Sequence, residues 1–403
     1  MASFGAAQFS VIVATPLLTR LYSPAAFASF GYIISFVAVI LPMISLQYEY
    51  AIPIAKIKKM TPLLTSLCLY LVIGISLSIF IVMLLFSHYV NFNINFMVLF
   101  AGFIILLLQG VLQVYSMPFI TNDQAILVAH GKLIQNATMI AVQVLLAYFI
   151  FKTSLALLLG LIIGLLFNLF YFYIQRKKNA EAFIKLTRRK LFFLLKKYRQ
   201  LPLFTSWAML IETASTLMPV LLIGPLYGAK SLGVYFLIYR IFSAPTSLLS
   251  VALSKIMLKE WSSSIKENQL IFPLFKKTSL ILIGIALIYF LLMCSFAKYT
   301  PLAFGENWLE AYPVLLCLAP IIAATFCVSP LSPIFILLKK NSMDLAWQIT
   351  YLFSTVIIIY SCREQSFLTM LSYLSALWVI LYSIYLFLMY VIIIKRDKAL
   401  CVV

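Results

Sequence analysis

Pro62-Leu-Leu-Thr-Ser-Leu-Cys-Leu-Tyr-Leu-Val-Ile-Gly-Ile-Ser-Leu-Ser-Ile-Phe-Ile-Val-Met-Leu-Leu-Phe-Ser87 contains no charged side chain. At the ~1.5 Å rise of an α-helix, a run of this length crosses the ~30 Å hydrocarbon core of a bilayer. Its apolar residues are continuous rather than alternating, which favours a helix over a barrel strand. The rest of the chain agrees. Hydrophobic residues make up 64% and charged residues 10% of 403, where a soluble domain carries about a quarter charged residues. An all-α integral membrane protein follows.

Eleven further runs read as spans, giving about twelve transmembrane helices: roughly 2–19, 26–47, 62–87, 95–115, 124–150, 153–174, 201–224, 231–254, 272–295, 308–337, 341–360 and 366–394. The first apolar run starts at Met1 without a basic leader and reads as a span rather than a signal peptide. The tenth carries Pro313, Pro320, Pro330 and Pro333, so a kink or partial unwinding is expected there.

The net charge of +19 would suggest nucleic acid in a soluble protein. Here the cations mark topology, and no nucleic acid partner is expected. With the amino terminus inside, 24 of the 30 basic residues fall on inside segments. These include Lys56, Lys58, Lys59, Lys132, Arg176, Lys255, Lys339 and Lys395. Only Arg20, Lys152, Lys230, Lys298 and Arg363 fall outside. The positive-inside rule then places both termini in the cytoplasm.

Residues 176–200 form the one long polar segment. It separates a six-helix lobe, 1–175, from a second, 201–403. The segment is read as an amphipathic helix on the anionic cytoplasmic leaflet. Phe183, Ile184, Leu186, Leu191, Phe192, Leu194 and Leu195 would face lipid between the basic residues.

The two halves open alike. Pro16-Leu-Leu-Thr-Arg-Leu-Tyr22, Phe30-Gly31-Tyr32 and Pro42 correspond to Pro219-Val-Leu-Leu-Ile-Gly-Pro-Leu-Tyr227, Leu232-Gly-Val-Tyr235 and Pro245. A parallel repeat of six spans is a transporter architecture, and Pro42 and Pro245 would help their helices bend during gating.

Charges inside spans are costly, about 2.5–3.5 kcal/mol each near the midplane. Glu212 and Arg240 lie in consecutive spans at similar distances from the intervening loop near residue 228. Either they form a structural pair, or Arg240 binds an anionic headgroup with Glu212 as counter-ion or titrating partner. A guanidinium suits pyrophosphate because its donors form a bidentate fork. Glu49 and Arg20 end spans two and one, where snorkelling at the interface competes with a role in gating or coupling. Glu306 and Glu310 open span ten outside, as an ion entry site or an acidic helix start. The six cysteines and two histidines show no metal spacing, and no cofactor is expected.

Thr19-Arg-Leu-Tyr-Ser-Pro-Ala-Ala-Phe27 with Gly31, and Tyr48-Glu-Tyr-Ala-Ile-Pro53, resemble the opening of the Wzx-like polysaccharide biosynthesis flippases. These are a branch of the multidrug/oligosaccharidyl-lipid/polysaccharide (MOP) exporter superfamily. The resemblance continues through Pro219-Val-Leu-Leu222, Tyr239-Arg240, Phe304-Gly-Glu-Asn-Trp308 with Ala311, Ala319-Pro320 and Ser329-Pro-Leu-Ser332. It implies two pseudo-symmetric six-helix lobes around a central cavity, in the bacterial inner membrane, working by alternating access. The cargo implied is an oligosaccharide on undecaprenyl pyrophosphate, moved to the outer leaflet for O-antigen (lipopolysaccharide), capsule or exopolysaccharide assembly. Arg240 and Glu49 match family positions; Glu212 matches none.

Two departures stand out. The family's polar stretch ahead of the first span is missing, so a truncated start is expected, and Ala28 replaces a Gly. With no Gly-Lys-Ser/Thr phosphate loop, transport would draw on H+ or Na+ or on a downstream polymerase and chain-length machinery. A small-drug exporter of the same superfamily is the alternative. A polysaccharide polymerase or ligase is another, although the outer loops are short and hold no acid or nucleophile cluster. No enzyme activity is expected.

Overall fold

A computed structural model describes residues 2–55, 60–89, 96–122, 124–178 and 187–401. No β-strand occurs among the described residues. Lys56, Lys58, Lys59, Phe183, Ile184, Lys185 and Leu186 of the topology and linker readings lie outside them. The helices are α1 (Ala2–Leu21), α2 (Pro24–Ile44), α3 (Ala51–Ile54), α4 (Met60–Tyr89), α5 (Phe96–Thr121), α6 (Ala125–Phe149), α7 (Ser154–Lys178) and α8 (Arg188–Lys197), then α9 (Ser206–Lys266), α10 (Phe272–Ala297), α11 (Thr300–Phe304), α12 (Ala311–Val328), α13 (Pro333–Leu337), α14 (Asn341–Ser361) and α15 (Phe367–Cys401). Among the described residues, ten helices are long and apolar enough to cross a membrane, and Gln8–Leu21 is a shorter apolar helix.

The junction expected near residue 228 is present: α9 is two consecutive helices that meet across a kink at Gly228, with φ 86° and ψ 165°. That φ is open to glycine and strained for other residues. The proline-rich tenth span divides into α12, a 3-10 turn at Ser329–Leu331 and α13. Pro330 and Pro333 each start a new short helix there, where a missing N–H is tolerated.

The chain divides into two compact units, Met1–Leu217 and Met218–Val403. In the first, α2 starts at a junction the sequence encodes: the Ser23 hydroxyl accepts from Ala26 N at 3.3 Å and Pro24 takes the first helical position. The tightest pairing is α6 with α7. Gly160 and Gly164 let the backbones approach, for a Cβ at Gly164 would lie 2.6 Å from the Gln135 carbonyl oxygen. Amides reinforce the seam. Gln143 Nε2 donates to Leu157 O at 2.9 Å, and Tyr22 Oη donates to Gln143 O at 2.7 Å. A Cβ on Gly110 of α5 would lie 2.3 Å from Ile44 of α2 and 2.9 Å from Val72 of α4.

In the second unit, α12 packs between α10 and α15. Asp397 near the end of α15 accepts from Phe272 N at 2.7 Å and so caps α10. An aromatic seam joins α14 to α15: Trp347 stacks on Tyr385 at 4.1 Å and Tyr351 on Trp378 at 5.3 Å. Trp378 Nε1 donates to Thr355 Oγ1 at 2.8 Å, so this buried indole has its partner. Gly305 (φ 97°) turns the chain so that Trp308 is fully buried ahead of α12.

Candidate functional site

Two stretches read as loop charge are built into helices instead. Lys132 sits two turns into α6, and Arg176, near the end of α7, is buried at 7% exposure with its guanidinium over the Tyr115 ring at 5.2 Å. Neither is a solvated loop residue. Lys132 borders a cavity of about 480 Å³ inside the first unit, within the range of ligand pockets.

The cavity is lined from α2, α5, α6, α7 and α9. Its polar groups are the amides Gln47, Gln109, Gln113, Gln135 and Asn168, the hydroxyls Ser116 and Thr213, and Lys132; Pro42, Leu165 and Phe172 are among its apolar wall. Lys132 Nζ and Asn168 Nδ2 both donate to Gln135 Oε1, at 3.2 and 3.0 Å. That leaves Asn168 Oδ1 buried without a hydrogen-bond partner, and the same holds for the Oε1 atoms of Gln47 and Gln113. All three are acceptors.

At one end of α2 the chain turns sharply. Leu46 and Gln47 take positive φ (51° and 59°), an arrangement that costs about 1–3 kcal/mol per residue and must be held by its surroundings. The Gln47 side chain holds it by donating to Pro42 O at 3.1 Å. The turn delivers Tyr48–Tyr50 as a 3-10 segment and buries Glu49 completely. Gln113 Nε2 donates to Glu49 Oε1 at 2.6 Å, while Glu49 Oε2 has no partner. Burial pushes the Glu49 carboxyl above its ordinary range, partly offset by its hydrogen bonds. The Tyr50 phenol is also raised, by burial first and then by the carboxylates of Glu49 and Glu212. Glu49, Tyr50 and Glu212 thus share one neighbourhood of the first unit, although Glu212 itself is exposed on α9.

The other sequence candidates lie on their own elements. Arg20 is exposed at the end of α1. Arg240 belongs to the second unit, half-buried, with its guanidinium over the Phe236 ring at 5.7 Å. Tyr239, beside it, stacks on Tyr235 at 5.8 Å, and the fully buried Tyr235 hydroxyl has no hydrogen-bond partner. Pro245 lies inside α9. Glu310 meets Lys230 at 2.6 Å across exposed side chains, a pair worth little in stability. No group of three or more metal-ligating side chains occurs among the described residues. Cys68, Cys327 and Cys362 are buried free thiols.

The cavity amides are the residues that sequence reading passed over. Their signal was present: Gln109 and Gln113 lie one turn apart on a span, and Lys132, Gln135 and Asn136 interrupt another. Weighing only formal charges hid them.

Residues 17–313 match the profile of the polysaccharide biosynthesis protein family. The chain belongs to that family. Over 214 residues it is 27% identical to the teichuronic acid biosynthesis protein TuaB of Bacillus subtilis (strain 168), covering 53% of this chain and 42% of that protein. The chain thus spans less than half the length of that relative in the match. Its fold is that of the MOP superfamily. An inward-facing multidrug resistance MATE transporter superposes with a TM-score of 0.74 at 13% identity, over 98% of this chain and 95% of that one. The lipid II flippase MurJ in an inward closed conformation gives 0.72 at 15% identity, over 100% and 92%. A MOP transporter from Pyrococcus furiosus gives 0.62 at 13%, over 99% and 94%. The protein is a multi-pass membrane protein.

Proposed function

We propose that this polysaccharide biosynthesis protein moves an oligosaccharide linked to undecaprenyl pyrophosphate from the cytoplasmic to the outer leaflet by alternating access. The observation that carries the reading is the amide-lined cavity. Four amides, two hydroxyls and one ammonium within membrane-spanning helices, with Gln47 at the turn after α2, form a costly arrangement unless a polar ligand meets them. Sugar hydroxyls would exchange hydrogen bonds with the amides and hydroxyls that line the cavity. A drug exporter would be served better by an apolar or aromatic chamber.

In the orientation set by loop charge, the cavity residues lie toward the cytoplasmic ends of their helices, on the side where a lipid-linked sugar is made. Lys132 would meet an acidic sugar or a phosphate as a point charge. Arg240 would hold the pyrophosphate, with Glu212 as its counter-charge. Glu49 would exchange H+ or Na+ as the site opens, with Arg20, Pro42 and Pro245 serving the gating movement. The membrane would be the bacterial inner membrane with both termini cytoplasmic, and a surface-polysaccharide polymerase would take the product.

The test uses proteoliposomes of the full chain loaded with undecaprenyl-pyrophosphate oligosaccharide. Exposure of the sugar to an impermeant glycosidase should be fast with the wild type and slow with Gln113→Leu. Equal exposure with and without protein, alongside export of a cationic dye, would favour the drug exporter.

A further inference from the structure

Helix α8 holds five basic residues and no acid in ten positions, Arg188-Arg-Lys-Leu-Phe-Phe-Leu-Leu-Lys-Lys197. The structure changes which of its side chains are available. Leu194, expected to face lipid, is 1% exposed and packs into the first unit, because the helix is already seated on protein. Phe192 and Phe193 are the apolar groups it presents outward, 69% and 57% exposed, among the exposed Arg189, Lys190, Lys196 and Lys197. Aromatic rings between cations, with no acid, form the surface that an anionic lipid leaflet complements. The long basic stems can lie along the acyl boundary while their charges reach headgroup phosphates.

This helix is also tied to the buried carboxylate. Tyr48 is 2% exposed, and its hydroxyl donates to the Leu195 carbonyl oxygen at 3.2 Å. Lys197 Nζ lies 3.7 Å from Met60 Sδ at the start of α4. Tyr48 opens the 3-10 segment that holds Glu49. A displacement of α8 therefore reaches the Glu49–Gln113 contact through one residue.

We propose that α8 docks on anionic phospholipid and that this docking fixes the Tyr48–Tyr50 turn, making the Glu49 site responsive to the charge of the leaflet. The transport consequence rests on the function proposed above; the docking itself does not.

The test is hydrogen exchange on the full chain in nanodiscs of phosphatidylcholine alone or mixed with phosphatidylglycerol. Phosphatidylglycerol should slow exchange in 188–197 and in 46–55 together. Each basic residue of α8 replaced by Gln should lower that gain in 188–197 by about five-fold, the equivalent of one charge at the surface. High salt should erase the gain. Tyr48→Phe should keep the response of 188–197 and lose that of 46–55. Exchange that is identical in both lipids, in wild type and in Lys196→Gln/Lys197→Gln, overturns the proposal. So does a Tyr48→Phe chain in which both segments still respond. A chain whose two segments respond to phosphatidylglycerol but which moves no lipid-linked sugar in any membrane counts against the proposed function and leaves the docking intact.

Discussion

Gln113 donates to Glu49 at 2.6 Å, and the other carboxylate oxygen of Glu49 is buried with no partner. This is a site that accepts a proton readily. Burial holds the folded carboxyl above its ordinary value of 4.5. Between that value and the raised folded one, the unfolded chain has released its proton and the folded chain keeps it, so stability falls as pH rises through the window. Thermal unfolding in detergent should show the wild type most stable below the ordinary value and declining above it. Glu49→Gln, which donates where the protonated acid would, should remove that slope. A wild type and variant with the same pH dependence would mean that Glu49 does not titrate in this range.

Lys132 and Asn168 converge on Gln135 Oε1 in the cavity. Lys132→Gln keeps a donor and removes the charge. It should leave thermal stability within about 0.5 kcal/mol, as for a substitution outside the packed core. It should lower flipping of an acidic lipid-linked glycan by about tenfold and that of a neutral one much less. Asn168→Leu should reduce both, because it removes the donor that holds Gln135 in the cavity wall. Proteoliposome assays with the two glycans check this; equal loss on both with Lys132→Gln would show that the ammonium does not read charge.

The fold was legible because lipid imposes a simple rule. A run such as 62–87 has no alternative to a helix, and Ser23-Pro24 announces a helix start that the structure honours. The site was less legible. Lys132 and Arg176 count as loop charges when only residue type and rough position are weighed, and helix register decides otherwise. Glu49 could be singled out as an acid at a span end. Its burial depends on two successive positive-φ residues and on Gln113, 64 positions away. The junction near 228 was legible too, since Gly228, with φ 86°, is where one span ends and the next begins. Leu194 leaves the lipid-facing place that a purely amphipathic reading assigns it, because the helix lies against protein on that side.

Arg240 is the cation expected at the headgroup, and its guanidinium lies over Phe236. Arg240→Ala in the host should abolish surface polysaccharide at an unchanged protein level. Arg240→Lys should rescue it poorly, since an ammonium keeps the charge and loses the bidentate fork. Normal polysaccharide with the Ala variant would remove Arg240 from the binding machinery. Full rescue by Lys would reduce its role to charge alone.

The α6–α7 seam supplies a prediction about stability with its own control. A Cβ on Gly164 would stand 2.6 Å from the Gln135 carbonyl oxygen and 3.1 Å from Met139 Cβ, so the backbones must part. Gln135 also organises the cavity donors, so the same displacement reaches the site. Gly164→Ala should cost about 1–3 kcal/mol, the usual range for overpacking, and should lower transport as well. Gly74, in the interior of α4, has nothing within 4 Å of its built Cβ. Gly74→Ala should instead gain up to about 1 kcal/mol from the lower backbone entropy of alanine in a helix. Thermal unfolding of the two variants in one detergent decides the matter. Equal midpoints would mean that α6 and α7 do not depend on their close approach.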